Sequence, residues 1–128
     1  MSFSHTINKS VISGGATVSS SNVYSAAERV SIDESIPDSS TDLQINAAID
    51  VDQIASIYIL ASVDMTLEVN DGTTPDDTIS LVGGVPYCWD SDSYFANLLT
   101  TDVTALFLTN ASGSNGTFKL ECVYDPTP

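Results

Sequence analysis

The stretch Leu43-Gln44-Ile45-Asn46-Ala47-Ala48-Ile49-Asp50-Val51-Asp52 places an apolar residue at every odd position and a polar one at most even positions. A period of two sends successive side chains to opposite faces of an extended chain, so the segment reads as a strand with one face on a core and one toward water. Ile57, Ile59 and Ala61 continue the pattern. Met65, Leu67 and Val69 then alternate with Thr66, Glu68 and Asn70, and Ile79 and Leu81 answer them. The loop from Asp71 to Asp77 contains Gly72 and Pro75, residues that tolerate positive φ or preset a turn, and it predicts an extended hairpin.

Farther out, Val103 to Asn110 and Thr117 to Tyr124 flank Ala111 to Gly116, a run of small residues ending in Asn115-Gly116 that predicts a second hairpin. At the start of the chain, Phe3 to Ile12 reads as a strand, Gly14 to Asn22 as a Ser-rich connection and Ala27 to Ile32 as another strand. Asp92 to Leu99 is either a short helix capped by Asp92 or a structured loop. About eight short strands with turn signals roughly every ten residues predict an all-β domain, either a two-sheet antiparallel sandwich or a small barrel. Parallel α/β architecture needs long helical crossovers, and no pattern for them occurs. The expected organisation is an N-terminal arm or edge strand over 1–22 and a single β-sandwich domain over 23–128.

Charge narrows the function. Seventeen acidic residues stand against Lys9, Arg29 and Lys119, for a formal charge of -14 at pH 7, and His5 is the sole histidine. Such a chain repels phosphate backbones and anionic lipid, so the expectation is no nucleic acid and no membrane as partner. The hydrophobic fraction of 42% suits a folded protein rather than a disordered one. No run approaches the ~18 apolar residues of a membrane span. Met1 to Lys9 lacks the basic head and apolar run of a secretory signal, which predicts synthesis in the cytoplasm and reduced, buried thiols at Cys88 and Cys122. The polar strand faces carry Ser, Thr and Asn more often than ions. They suit either a solvated pleat or a face that another protein covers without desolvating charge.

Few residues could carry chemistry. The acidic loops offer oxygen ligands for calcium, with Asp71, Asp76 and Asp77 the best-placed set, although they lack the ordered spacing of an EF-hand and equally read as solvated loop charge. Tyr87, Trp89, Tyr94 and Phe95 cluster in sequence. They can be core at the mouth of a sandwich, anchors of a protein interface, or a platform for a sugar face. In the arm, Phe3, His5 and Ile7 are further interface candidates. No base lies beside a nucleophile, no phosphate-binding glycine loop occurs, and the two cysteines have no histidine near them. No enzyme, no catalytic residue and no cofactor other than calcium are therefore expected.

Part of the chain is similar to a known family. Thr66-Leu67-Glu68-Val69-Asn70, Asp76-Asp77-Thr78-Ile79-Ser80-Leu81 leading into Gly84-Val85-Pro86-Tyr87, the run from Asp102 to Gly113, and the closing Val123-Tyr124-Asp125 resemble small head-decoration, or capsid cement, proteins of tailed bacteriophages and their prophages. The first 42 residues add nothing to the likeness. The resemblance implies a jelly-roll-like fold and a place on the outer capsid surface of the virion. It also implies the major capsid protein as partner and self-association as a homotrimer that clamps neighbouring capsid subunits. Three copies of so acidic a chain repel one another, so such an assembly must bury apolar area or bind cations. A lightly charged arm that adds a strand to a neighbour's sheet would meet that need. A phage tail or fibre accessory protein, or a small carbohydrate-binding module with an exposed Trp89, are the alternatives.

Overall fold

The computed structural model describes residues 2–126 and contains ten strands. They are β1 (Phe3–Ser13), β2 (Ala16–Ala26), β3 (Glu28–Ile36), β4 (Leu43–Ile49), β5 (Ile54–Ala61), β6 (Met65–Val69), β7 (Asp77–Leu81), β8 (Tyr87–Asp90), β9 (Val103–Thr109) and β10 (Gly116–Tyr124). A single 3-10 turn, Val51–Gln53, joins β4 to β5. Among the described residues there is no α-helix, and so none long and apolar enough to cross a membrane.

Eight strands form two antiparallel sheets, ordered β3-β10-β5-β8 and β4-β9-β6-β7. The pairings nest: β6 pairs β7, β5 pairs β8, β4 pairs β9 and β3 pairs β10. Such nesting is one long antiparallel ribbon folded at the β6–β7 hairpin and then rolled, so that successive pairs fall alternately into the two sheets. That winding is a jelly roll: of the sandwich or small barrel that the sequence pattern predicts it is the sandwich, in the form that the resemblance implies. The core lies between the sheets. Leu67, Val69, Leu106 and Leu108 from one sheet, and Ile57, Ile59, Phe118 and Leu120 from the other, are at most 1% exposed.

Three sequence readings need correction. Gly14 to Asn22 is mostly strand β2, and Tyr87–Asp90 is strand β8, which raises the count above eight. Val103–Thr109 and Gly116–Tyr124 are not a hairpin, since β9 and β10 lie in different sheets and the intervening loop carries the chain across the sandwich. Asn110 holds that crossing. Its buried side chain donates to Ile36 O at 2.9 Å and Ser114 O at 2.8 Å, and accepts from Ser112 N and Oγ. The Asp92–Leu99 segment is a loop rather than a helix. Leu99 is buried there, and Thr100 donates from N and Oγ1 to Asp77 at the start of β7.

The two cysteines are free, Cys122 buried and Cys88 half-buried. Directly paired residues share a face of a sheet. Cys122 pairs with the core residue Ile57, whereas Cys88 pairs with Tyr58, one residue along and therefore on the opposite face. With β5 between them as well, the geometry forbids a bridge. Burial pushes the Cys122 thiol up to about 12 and raises Cys88 as well.

Candidate functional site

β1 and β2 form a two-stranded sheet of their own, paired without a break from Phe3–Ala26 to Ser13–Ala16. The turn between them is Gly14-Gly15 with φ of 57° and 85°. Positive φ at both central residues is what a tight hairpin turn requires, and glycine adopts it without a Cβ clash. A change of segment boundary follows. The expected limit at residue 22 falls inside β2, and the hairpin gives way to the jelly roll at Ala27, whose N–H donates to Asp125 Oδ1.

The hairpin lies on the outer face of the β3-β10-β5-β8 sheet. Alternate residues of β1 meet successive strands beneath. The Arg29 guanidinium of β3 sits 5.3 Å from the centre of the Phe3 ring, His5 Nδ1 is 3.2 Å from Ser56 Oγ of β5, and Lys9 Nζ is 3.8 Å from Asp90 Oδ2 of β8. Six residues of strand advance about 20 Å while three strand spacings measure about 14 Å, so β1 crosses the sheet obliquely. This third layer explains why the outward-facing Val123, Ser56 and Asp90 are at most 4% exposed.

The seat is polar. Lys9 to Asp90 is the one ion pair among the described residues. The buried Asp90 carboxylate is met from a second side by Asp92 N, which donates to its Oδ1 at 2.9 Å, so the ion pair and this bond together offset its desolvation. Tyr24 of β2 is buried over the same spot. Burial, then the Asp90 and Asp92 carboxylates beside it, push its hydroxyl up to about 12. His5 is held below the ordinary imidazole range chiefly by desolvation, with Glu121 opposing and Arg29 adding to the shift. Its Nε2 is buried without a hydrogen-bond partner.

Past Lys9 the hairpin leaves the body. Every residue from Asn8 to Val23 is exposed, and Val11, Ile12 and Val18 are 65%, 76% and 74% exposed. Val11 and Val18 are direct cross-strand partners on the side that faces the body lower down, so the seating stripe continues beyond the β8 edge with nothing beneath it. Residues 2–27 contain no carboxylate at all, while the rest of the chain holds all 17. The hairpin is thus the longest carboxylate-free segment of the chain, and it can approach an acidic surface with little like-charge repulsion.

The structure separates the residues singled out in the sequence. Phe3, His5 and Ile7 are half-buried on the body side of β1. Tyr87 and Trp89 are half-buried against the core. The Tyr87 hydroxyl donates to Asn97 Oδ1 and accepts from Leu98 N, and Trp89 Nε1 donates to Phe95 O at 2.8 Å. Tyr94 and Phe95, 99% and 82% exposed, face solvent. Asp71, Asp76 and Asp77 point to separate tasks: Asp71 accepts from Thr73 N and Thr74 N, Asp76 from Asn70 Nδ2, and Asp77 from Thr100. Among the described residues no three metal-ligating side chains converge. The tip residues Val11, Ile12 and Val18 escaped the sequence reading. The signal that finds them is the Gly14-Gly15 pair set midway between two extended segments of equal length. Comparison with protein-family models, with curated proteins and with solved structures found no match, so the functional reading rests on this geometry.

Proposed function

We propose that this chain is a non-catalytic structural protein that attaches to a protein lattice through its N-terminal hairpin, and specifically a decoration protein on the outside of a tailed-phage capsid. The observation that carries the reading is the projecting tip. Val11, Ile12 and Val18 are exposed on a carboxylate-free ribbon with two unpaired strand edges. Isolated ribbons with open edges are liabilities unless something pairs or covers them, and strand addition to a partner is a common use of such edges. The acidic body suits an exterior position away from packaged nucleic acid. The jelly roll is a frequent capsid architecture, which supports the reading by analogy only.

The test is retention on capsids of the phage or prophage whose genome carries this chain, with the native mass measured in parallel by light scattering. The wild type should co-sediment with capsids. The triple variant Val11→Ser, Ile12→Ser, Val18→Ser should keep its fold, since all three side chains are in water, and lose at least tenfold in capsid occupancy. Equal occupancy of the variant would remove the hairpin as the anchor, and no retention of the wild type would remove the decoration role.

A further inference from the structure

Between the underside of the hairpin and the loop after β8 lies a cleft of about 540 Å³, within the size range of small-molecule sites. We propose that this cleft binds a neutral saccharide, with Tyr94 and Phe95 as the stacking surface and Asp92, Asn22 and Lys9 as the hydrogen-bonding groups. All five residues line it. The two rings are 99% and 82% exposed, so their apolar faces are open to the C–H face of a pyranose.

The chemistry of the walls selects the ligand class. An apolar anchor from a protein partner would cover the rings but leave the Asp92 carboxylate and the Asn22 amide beside them dehydrated, which costs more than the burial returns. A polyol meets both demands at once, since its hydroxyls both donate and accept. Anionic ligands are opposed by Asp90 and Asp92 together with the -14 of the chain. A cation gains less here than in an open aromatic cage, because Lys9 already occupies the same wall in its pair with Asp90.

The hairpin completes the site. Lys9 and Asn22 come from β1 and β2, whereas Asp92, Tyr94 and Phe95 come from the loop that follows β8. The loop is braced from behind, where Trp89 Nε1 bonds to Phe95 O and Asp92 N bonds to Asp90 Oδ1. The proposal stands independently of capsid attachment, which uses the tip beyond Lys9.

Trp89, the sole tryptophan, is hydrogen-bonded to the loop and does not line the cleft, which makes it a built-in reporter. Its fluorescence should change saturably when glucose, galactose, mannose, N-acetylglucosamine, cellobiose or lactose is titrated into the intact protein. At least one of them should half-saturate on the order of 1 mM, the strength expected of a dozen or so heavy atoms held on one face. Tyr94→Ala, with an unchanged melting temperature, should weaken that binding at least tenfold, and amide NMR shifts should localise to Asp92–Phe95 and to Asn22. N-acetylneuraminic acid should not bind. A lack of response to all six sugars overturns the proposal, as does a response to choline alone, a preference for the anionic sugar, or an unchanged titration in Tyr94→Ala.

Discussion

Asn110→Ala tests the part of the fold that the sequence concealed. Its side chain is 0% exposed and makes four hydrogen bonds, two given to Ile36 O and Ser114 O and two taken from Ser112. Ser112 and Ser114 are exposed and regain water when the amide is removed, so each of those bonds costs about 0.5 kcal/mol on loss. Ile36 is fully buried, and its carbonyl loses a partner that water cannot replace, at about 1–3 kcal/mol. The total is about 3–4 kcal/mol, a large share of the stability of a domain this size. In urea the midpoint should fall by about 2 M at an unchanged m-value, and the melting temperature by about 10–15 °C. Ser112→Ala, which removes a hydroxyl that donates to Asn110 Oδ1 and Ser114 O and accepts from Ser114 N at a solvated site, should cost about 1 kcal/mol and serves as the control. A loss below about 1 kcal/mol for Asn110→Ala would refute the view that this amide locks the crossing between the sheets.

Acidification should loosen the hairpin. The His5 pKa in the folded protein lies below 6.5, so the unfolded chain binds more protons there, and His5 contributes stability above pH 6.5 that is lost as pH falls through the lowered folded value. Hydrogen exchange at β1 and β2 should therefore quicken as pH drops below 6.5 after correction for intrinsic rates, and His5→Gln should flatten the response; identical profiles would sink the assignment. Screening should matter for the whole molecule. Raising NaCl from about 0.05 to about 0.5 M should raise the melting temperature by a few degrees, because it damps repulsion within a chain of charge -14. Calcium at matched ionic strength should add nothing, since the carboxylates of Asp71, Asp76 and Asp77 serve different neighbours, and a larger shift with calcium would show a site.

Much of the architecture was legible in local pattern. Alternation in β4, β6 and β10 is strong because one face of each strand meets the core and the other meets water, so the two environments are written into successive residues. β8 escaped because that contrast is missing: Tyr87 and Trp89 pack on the core, while Cys88 and Asp90 lie on a face covered by the hairpin. β2 escaped for the opposite reason. Over most of its length both faces are in water, and Ser, Thr and Asn serve either side equally. The candidate cleft was half visible. Tyr94 and Phe95 stand out in the sequence, but nothing local places Lys9 and Asn22 opposite them.

Composition, charge and period thus determined an acidic, all-β chain, because those properties depend on residues and their near neighbours. Tertiary structure alone decided that β9 and β10 part into different sheets, that Cys88 and Cys122 lie on opposite faces, and that a carboxylate-free ribbon overhangs the β8 edge. Each of these is a relation between residues far apart in the chain. The free energy that fixes them, through the ion pair of Lys9 with Asp90 or the amide of Asn110 against Ile36, exists only once the fold has brought the partners together.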